Sequence, residues 1–198
     1  MKLLIATHNV DKKIEIKHYL ENIGGYDVVS LSDLGITEEP EETGKTFQDN
    51  ALLKASWASL QTGLLTIADD SGLEIDAFDK QPGVYSARYL GKDTPYVEKN
   101  QIILQRLASF TDRSARYVCA MAIVGPDMDP VVFEGIIEGR IGFHQAGNKG
   151  FGYDPIFYPV NSDRSFAEYE LEEKNAISHR AIALKQSVDY LKNLKGGK

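Results

Sequence analysis

The chain has 198 residues, a single cysteine and a formal net charge of -7 at pH 7, which fits one domain over residues 1–198 that buries most of its unfolded surface without staples. Lone Cys119, inside the apolar run from Tyr117 to Val124, excludes a disulfide framework and reads as a small buried hydrophobe. The acidic balance excludes a stable nucleic-acid partner, which needs a clustered basic face. The short apolar stretch at the amino terminus, and the lack of any run near the ~20 residues of a membrane span, predict a cytoplasmic chain without a membrane partner.

Lys2 to Thr7 reads as a buried strand and Asp11 to Asn22 as a helix that packs through Ile14, Ile16, Tyr19 and Leu20. A strand over Tyr26 to Leu31 follows. Thr46-Phe47-Gln48-Asp49 is a shortened capping box, opening a helix through Ala51, Leu52, Ala55 and Ala58 to about Thr62, where Gly63 stops it. Leu64 to Ala68 is a further apolar strand, so the opening order points to an α/β arrangement. Gly83 to Tyr89 is a compact aromatic loop, and Pro95 to Ser109 shows helical spacing. Ala115 to Val124 and Val131 to Ile141 flank a Gly/Pro/Asp turn as in an antiparallel hairpin, which makes the sheet mixed. Ile177, Ala181, Leu184, Val188 and Leu191 space out an amphipathic helix before the polar tail Lys195-Gly196-Gly197-Lys198.

Chemistry concentrates in a few segments. Asp69-Asp70-Ser71-Gly72 closes the apolar run, and reads either as a simple turn or as paired carboxylates at a strand's carboxyl end, where hard oxygen ligands suit Mg²⁺. Thr7-His8-Asn9-Val10-Asp11-Lys12 lies at a helix start, where backbone N–H groups and the dipole favour an anion, although it lacks the glycines of a P-loop. Glu41 and Glu42 belong to an acidic loop that is either solvated or gathered around a cation. Asn50 and Lys54 are one helical turn apart and share a face. Phe151-Gly152-Tyr153-Asp154 has the ingredients of a pocket that stacks a base, or of a core. Lys174, His179 and Arg180 put positive charge near a helix start, which an anion or base acceptor would compensate.

These segments recur together elsewhere. Thr7-His8-Asn9-x-x-Lys12, Glu41-Glu42-Thr43-Gly44-x-Thr46-Phe47-x-x-Asn50-Ala51-x-x-Lys54-Ala55, Ala68-Asp69-Asp70-Ser71-Gly72-Leu73, Pro82 to Tyr89, Phe151 to Phe157 and Glu173-Lys174-x-x-Ile177-Ser178-His179-Arg180 closely resemble the Ham1/RdgB family of inosine/xanthosine triphosphate pyrophosphatases. The resemblance runs nearly end to end, with one departure: Asp11 stands where many members have glycine.

The resemblance implies an ITPase-like fold, a mixed β-sheet flanked by helices, with two lobes and the active site in the cleft between them. It implies a homodimer that uses Mg²⁺ to hydrolyse ITP, dITP and XTP to the monophosphate and pyrophosphate, cleaning the nucleotide pool. By resemblance Asp70 is the general base and a metal ligand, with Glu41 as its partner and Glu42 as the alternative. Thr7, His8, Asn9, Val10, Asp11, Lys12, Lys54 and Ser71 would hold the triphosphate. Phe151, Gly152, Tyr153, Asp154, Lys174, His179 and Arg180 would receive the base. The competing expectations are a Maf-like pyrophosphatase for other modified nucleotides and a nucleotide-binding regulator without catalysis.

Overall fold

The computed structural model describes residues 1–196. Gly197 and Lys198, the end of the expected polar tail, lie outside the described residues. Among the described residues six strands form one mixed sheet in the order β2-β1-β3-β4-β5-β6. They are β1 (Lys2–Ile5), β2 (Asp27–Ser30), β3 (Leu65–Ile75), β4 (Ser114–Val124), β5 (Val131–Ile141) and β6 (Phe157–Pro159). β1 is parallel to both β2 and β3, whereas β5 and β6 are antiparallel with Arg140 opposite Tyr158. The helices are α1 (Val10–Leu20), α2 (Phe47–Thr62), α3 (Tyr96–Arg106), α4 (Leu171–Ile177) and α5 (His179–Gly196). No described helix is long and apolar enough to cross a membrane.

The chain divides into two compact units. The first takes residues 1–70, 119–135 and those from Arg180 on. Its core joins Leu3 and Ile5 of β1, Ile16 and Leu20 of α1, Ile67 of β3, Met121 and Ile123 of β4, and Leu184 and Leu191 of α5. Cys119 belongs to this core, and burial pushes its thiol up to about 12, so it is the inert hydrophobe that its apolar surroundings imply. The second unit takes residues 71–118 and 136–179. Its core is richer in aromatics, with Phe78, Tyr117, Tyr153, Phe157 and Phe166 packed among Leu73, Ile103 and Ile141.

The helix starts follow from local chemistry. Asn9 caps α1, its side-chain oxygen accepting the Lys12 backbone N–H at 3.1 Å. At α2 the capping box is complete, since Thr46 Oγ1 accepts the Asp49 N–H and the Asp49 carboxylate accepts the Thr46 N–H, each at 3.1 Å. Gly63 ends α2 at φ 67°, a left-handed conformation open to glycine. Thr46→Ala should therefore lower stability by about 1 kcal/mol, read as a shift of the denaturation midpoint at unchanged slope.

Two expectations are corrected. β3 does not end at Ala68: it continues through Asp69-Asp70-Ser71-Gly72 to Ile75, so the acidic pair lies within a strand rather than in a turn. Tertiary contacts override the local turn preference, for a Cβ at Gly72 would run into Ser86 Oγ and the Gly83 carbonyl. Ser86 uses that closeness, its Oγ accepting the Leu73 N–H at 2.9 Å and donating to the Gly83 carbonyl at 2.6 Å. The second correction is at the carboxyl end, where extended Ser178 (φ -68°, ψ 158°) separates α4 from α5.

Candidate active site

Adjacent residues of a strand face opposite sides of the sheet, and Asp69 and Asp70 accordingly enter different charge environments. Asp69 is fully buried and takes Lys12 Nζ at 3.0 Å and Arg180 Nε at 3.3 Å on the same oxygen. Arg180, itself buried, also pairs with the buried Glu15 of α1. Burial alone would raise the Asp69 carboxyl, but Lys12, Arg180 and Lys54 outweigh it and hold the group well below the carboxylate range. Burial likewise disfavours the Arg180 charge, yet Glu15 and Asp69 hold the guanidinium firmly protonated.

Asp70 meets residues of α2. Asn50 Nδ2 donates to Asp70 Oδ2 at 3.0 Å, while Asn50 Oδ1 accepts the Gly44 N–H at 2.8 Å, so one amide ties the acidic loop to the carboxylate. Lys54 Nζ stands 2.7 Å from Glu42 Oε1 and 3.6 Å from Asp70 Oδ1. Burial raises the Asp70 proton affinity, and Glu42 adds to this against the opposing pull of Lys54 and Lys12. Burial would strip the proton from Lys54, but Asp70, Asp69 and Glu42 more than restore it. The neighbouring carboxylates thus differ in basicity, with Asp70 the one poised to take a proton.

Of the two candidate glutamates, Glu42 is the one brought to Asp70; Glu41 is exposed. His8 turns toward the same acidic stretch, its backbone N–H donating to Glu39 Oε1 at 3.1 Å and its Nε2 lying 3.3 Å from the Glu38 carbonyl. Thr7 is buried, and its Oγ1 accepts the Asn9 N–H at 3.2 Å; Val10 and Asp11 are exposed at the helix start.

A separate group forms within the second unit around Asp154, which is 2% exposed. Its Oδ2 accepts Lys174 Nζ at 2.7 Å and the Phe151 N–H at 2.9 Å, and its Oδ1 accepts the Tyr117 hydroxyl at 3.2 Å. Lys174 Nζ also lies 4.6 Å from the centre of the Phe151 ring, within cation–π range. His179 stacks on Tyr117, their centroids 4.6 Å apart and planes 8° from parallel. Gly152, at φ 67°, offers its carbonyl to Asn100 Nδ2 at 3.2 Å, and the Tyr153 hydroxyl donates to the Ser86 carbonyl at 2.7 Å. Ser71 follows Asp70 in β3.

The sequence-predicted residues therefore fall into two sets. Lys12, Lys54, Asp70 and Arg180 come together in the first unit, and Phe151, Asp154, Lys174 and His179 in the second. Arg180, expected at the base, is paired with Asp69 and Glu15. Three participants escaped the sequence reading of the site. Asn50 carried a signal, its shared face with Lys54; Glu15 sits between two isoleucines in a helix, and Tyr117 in an apolar strand, where neither stands out.

The first unit thus carries buried lysine–carboxylate pairs, and the second gathers a lysine and aromatic faces on an aspartate. The chain belongs to the Ham1 family, whose sequence model matches residues 3–190. It is 47% identical over 187 residues to a dITP/XTP pyrophosphatase of Bacillus licheniformis, covering 93% of this chain and 95% of that one. It is 46% identical over 185 residues to a dITP/XTP pyrophosphatase of Bacillus subtilis, covering 92% and 93%. Among solved structures, a HAM1 protein from Coxiella burnetii superposes with a TM-score of 0.89 at 40% identity, over 98% of this chain and 99% of that one. The Staphylococcus aureus Ham1 protein gives 0.88 at 38% identity with the same coverage.

Proposed function

We propose that this chain hydrolyses ITP, dITP and XTP to the corresponding monophosphate and pyrophosphate, removing deaminated purine nucleotides from the cytoplasmic pool. The observation that carries the reading is Asp70: a buried carboxylate of raised proton affinity, held by Asn50 and flanked by Lys54 and Glu42. The names of the relatives agree with it.

The donor set fits Mg²⁺. Asp70 and Glu42 are hard oxygen donors on either side of one lysine amine. Among the described residues no group of three or more His, Cys, Asp or Glu could hold a metal ion by itself. An Mg²⁺ ion held by these two carboxylates would complete its shell with water and substrate phosphates. Mg²⁺ in that position would screen the phosphate oxygens and lower the pKa of a water molecule. We assign Glu42, in place of Glu41, as the partner of Asp70.

Asp70 would orient a water and accept its proton as the oxygen attacks the α-phosphorus; the bond to the α–β bridging oxygen breaks and pyrophosphate leaves. Lys12, Lys54, Ser71 and the backbone from Thr7 to Asp11 would offset the triphosphate charge. Arg180 is assigned to holding Asp69, not to the base. Phe151 would offer the base an aromatic face, and Lys174 and His179 would present donors to a 6-oxo group while opposing the 6-amino group of adenine. Guanine shares the 6-oxo group, so its rejection would act at C2, against its amino group. The homodimer implied by the family resemblance belongs to the same proposal.

The test is a panel of ITP, dITP and XTP against ATP, GTP, CTP and UTP with Mg²⁺, with the product identified. Pyrophosphate release and a preference of about 10²-fold or more for the first three is the expected result. Orthophosphate would move the attack to the γ-phosphorus and overturn the mechanism, and retained binding without turnover would make the chain a regulator.

A further inference from the structure

Asp154 carries three donors on two oxygens, and only one of them comes from a residue outside the segments expected to meet the base. That residue is Tyr117, which lies in β4 and is 7% exposed. Burial and the neighbouring Asp154 carboxylate keep its hydroxyl protonated, so it is the donor in the 3.2 Å contact with Asp154 Oδ1. Its ring does a second job. One face lies parallel to the His179 imidazole at 4.6 Å, while Phe157 approaches at 4.7 Å with a 60° tilt and Phe166 stacks at 6.0 Å.

We propose that Tyr117 is the positioning residue of the base site: its hydroxyl fixes the Asp154 carboxylate and its ring fixes the plane of the His179 imidazole. The inference rests on the assignment of Phe151, Asp154, Lys174 and His179 to the base. A carboxylate that accepts from Tyr117, Lys174 and the Phe151 N–H has no free rotation left, so the Lys174 amine that it grips is held in one place. An imidazole stacked within 8° of an immobile ring keeps its edge nitrogens in one plane. Donors preset in this way cost a 6-oxopurine little ordering on binding, which is where affinity and discrimination are gained. β4 is a suitable mount, because a strand packed into a core holds a side chain more tightly than a loop does.

The experiment compares Tyr117→Phe, Tyr117→Leu and His179→Ala with the wild type in Mg²⁺-supported hydrolysis of ITP and of ATP, with kcat and KM measured separately. The base takes no part in the bond that breaks, so the expected signature is a raised KM for ITP with kcat within about twofold. Tyr117→Phe keeps the stack and loses the hydroxyl, and should raise the ITP KM about threefold. Tyr117→Leu loses both and should raise it about tenfold or more. ATP, which those donors do not serve, should barely respond, so the ITP/ATP ratio of kcat/KM falls.

A ratio within twofold of wild type in both Tyr117 variants, while His179→Ala lowers it, overturns the positioning role and leaves the base site standing. A ratio untouched by His179→Ala overturns the base site itself. An equal fall in kcat for both nucleotides marks Tyr117 as core packing alone and also overturns the proposal. If Tyr117→Leu fails to fold, the near-isosteric Tyr117→Phe decides, with an unchanged ratio counting against the proposal and a threefold loss in its favour.

Discussion

Asp70→Asn should lower turnover of ITP by about 10²–10⁴-fold, the span over which a positioned general base contributes. The substitution preserves size and keeps an oxygen that can accept from Asn50 Nδ2, now at 3.0 Å from the carboxylate. It removes the proton acceptor and one of two hard anionic donors. Because Asp70 is a buried carboxylate whose proton affinity burial raises, neutralising it should not weaken the fold. Steady-state kinetics beside a melting curve checks both halves. Activity within tenfold of wild type would place the base elsewhere, and a collapsed melting temperature would mean that the charge at Asp70 is structural.

Arg180→Ala should produce a large loss of stability. The guanidinium answers two buried carboxylates, Glu15 at 4% exposure and Asp69 at 0%. Removing one partner of a buried ion pair strands the remaining charge and costs about 3–5 kcal/mol. For a chain of this size that corresponds to a fall in melting temperature of about 6–20 °C. Lys12 remains 3.0 Å from Asp69, so Glu15 is the carboxylate left worse off. Arg180→Met loses the same charge, and adding Glu15→Met to it should recover part of the loss, giving a non-additive cycle with the wild type and the two single Met variants. Calorimetry on the four proteins reads this directly, and strict additivity would show that the two side chains do not act together.

Features set by short-range chemistry were legible in the sequence. The capping box at Thr46 and the glycine stop at Gly63 gave α2 its ends, because both act within one turn of the backbone they satisfy. The same local reasoning misread Asp69 to Gly72. Aspartate and glycine favour turns in isolation, and lysines, an arginine and Asn50 from distant segments make a buried strand tolerable there. Glu41 and Glu42 could not be told apart, since neighbouring identical residues differ only in the direction their side chains take. Glu15 and Tyr117 were hidden for another reason: each occupies a position whose ordinary occupant, a helix-face acid or a core aromatic, is the same residue doing nothing more. Asn50 lay between these cases, placed correctly on the Lys54 face, with its bridge from Gly44 to Asp70 visible only in three dimensions.

The strand carrying Asp69 and Asp70 makes chain length a guarded quantity in this motif beside side-chain identity. Successive residues of β3 alternate between two faces, and the lysine and arginine set on one is not interchangeable with the asparagine and lysine set on the other. One residue inserted between Leu65 and Ala68 would carry Asp69 to the place of Asp70 and leave Ala68 facing Lys12 and Arg180, whereas one deleted would carry Asp70 to the place of Asp69 and leave Ser71 facing Asn50 and Lys54.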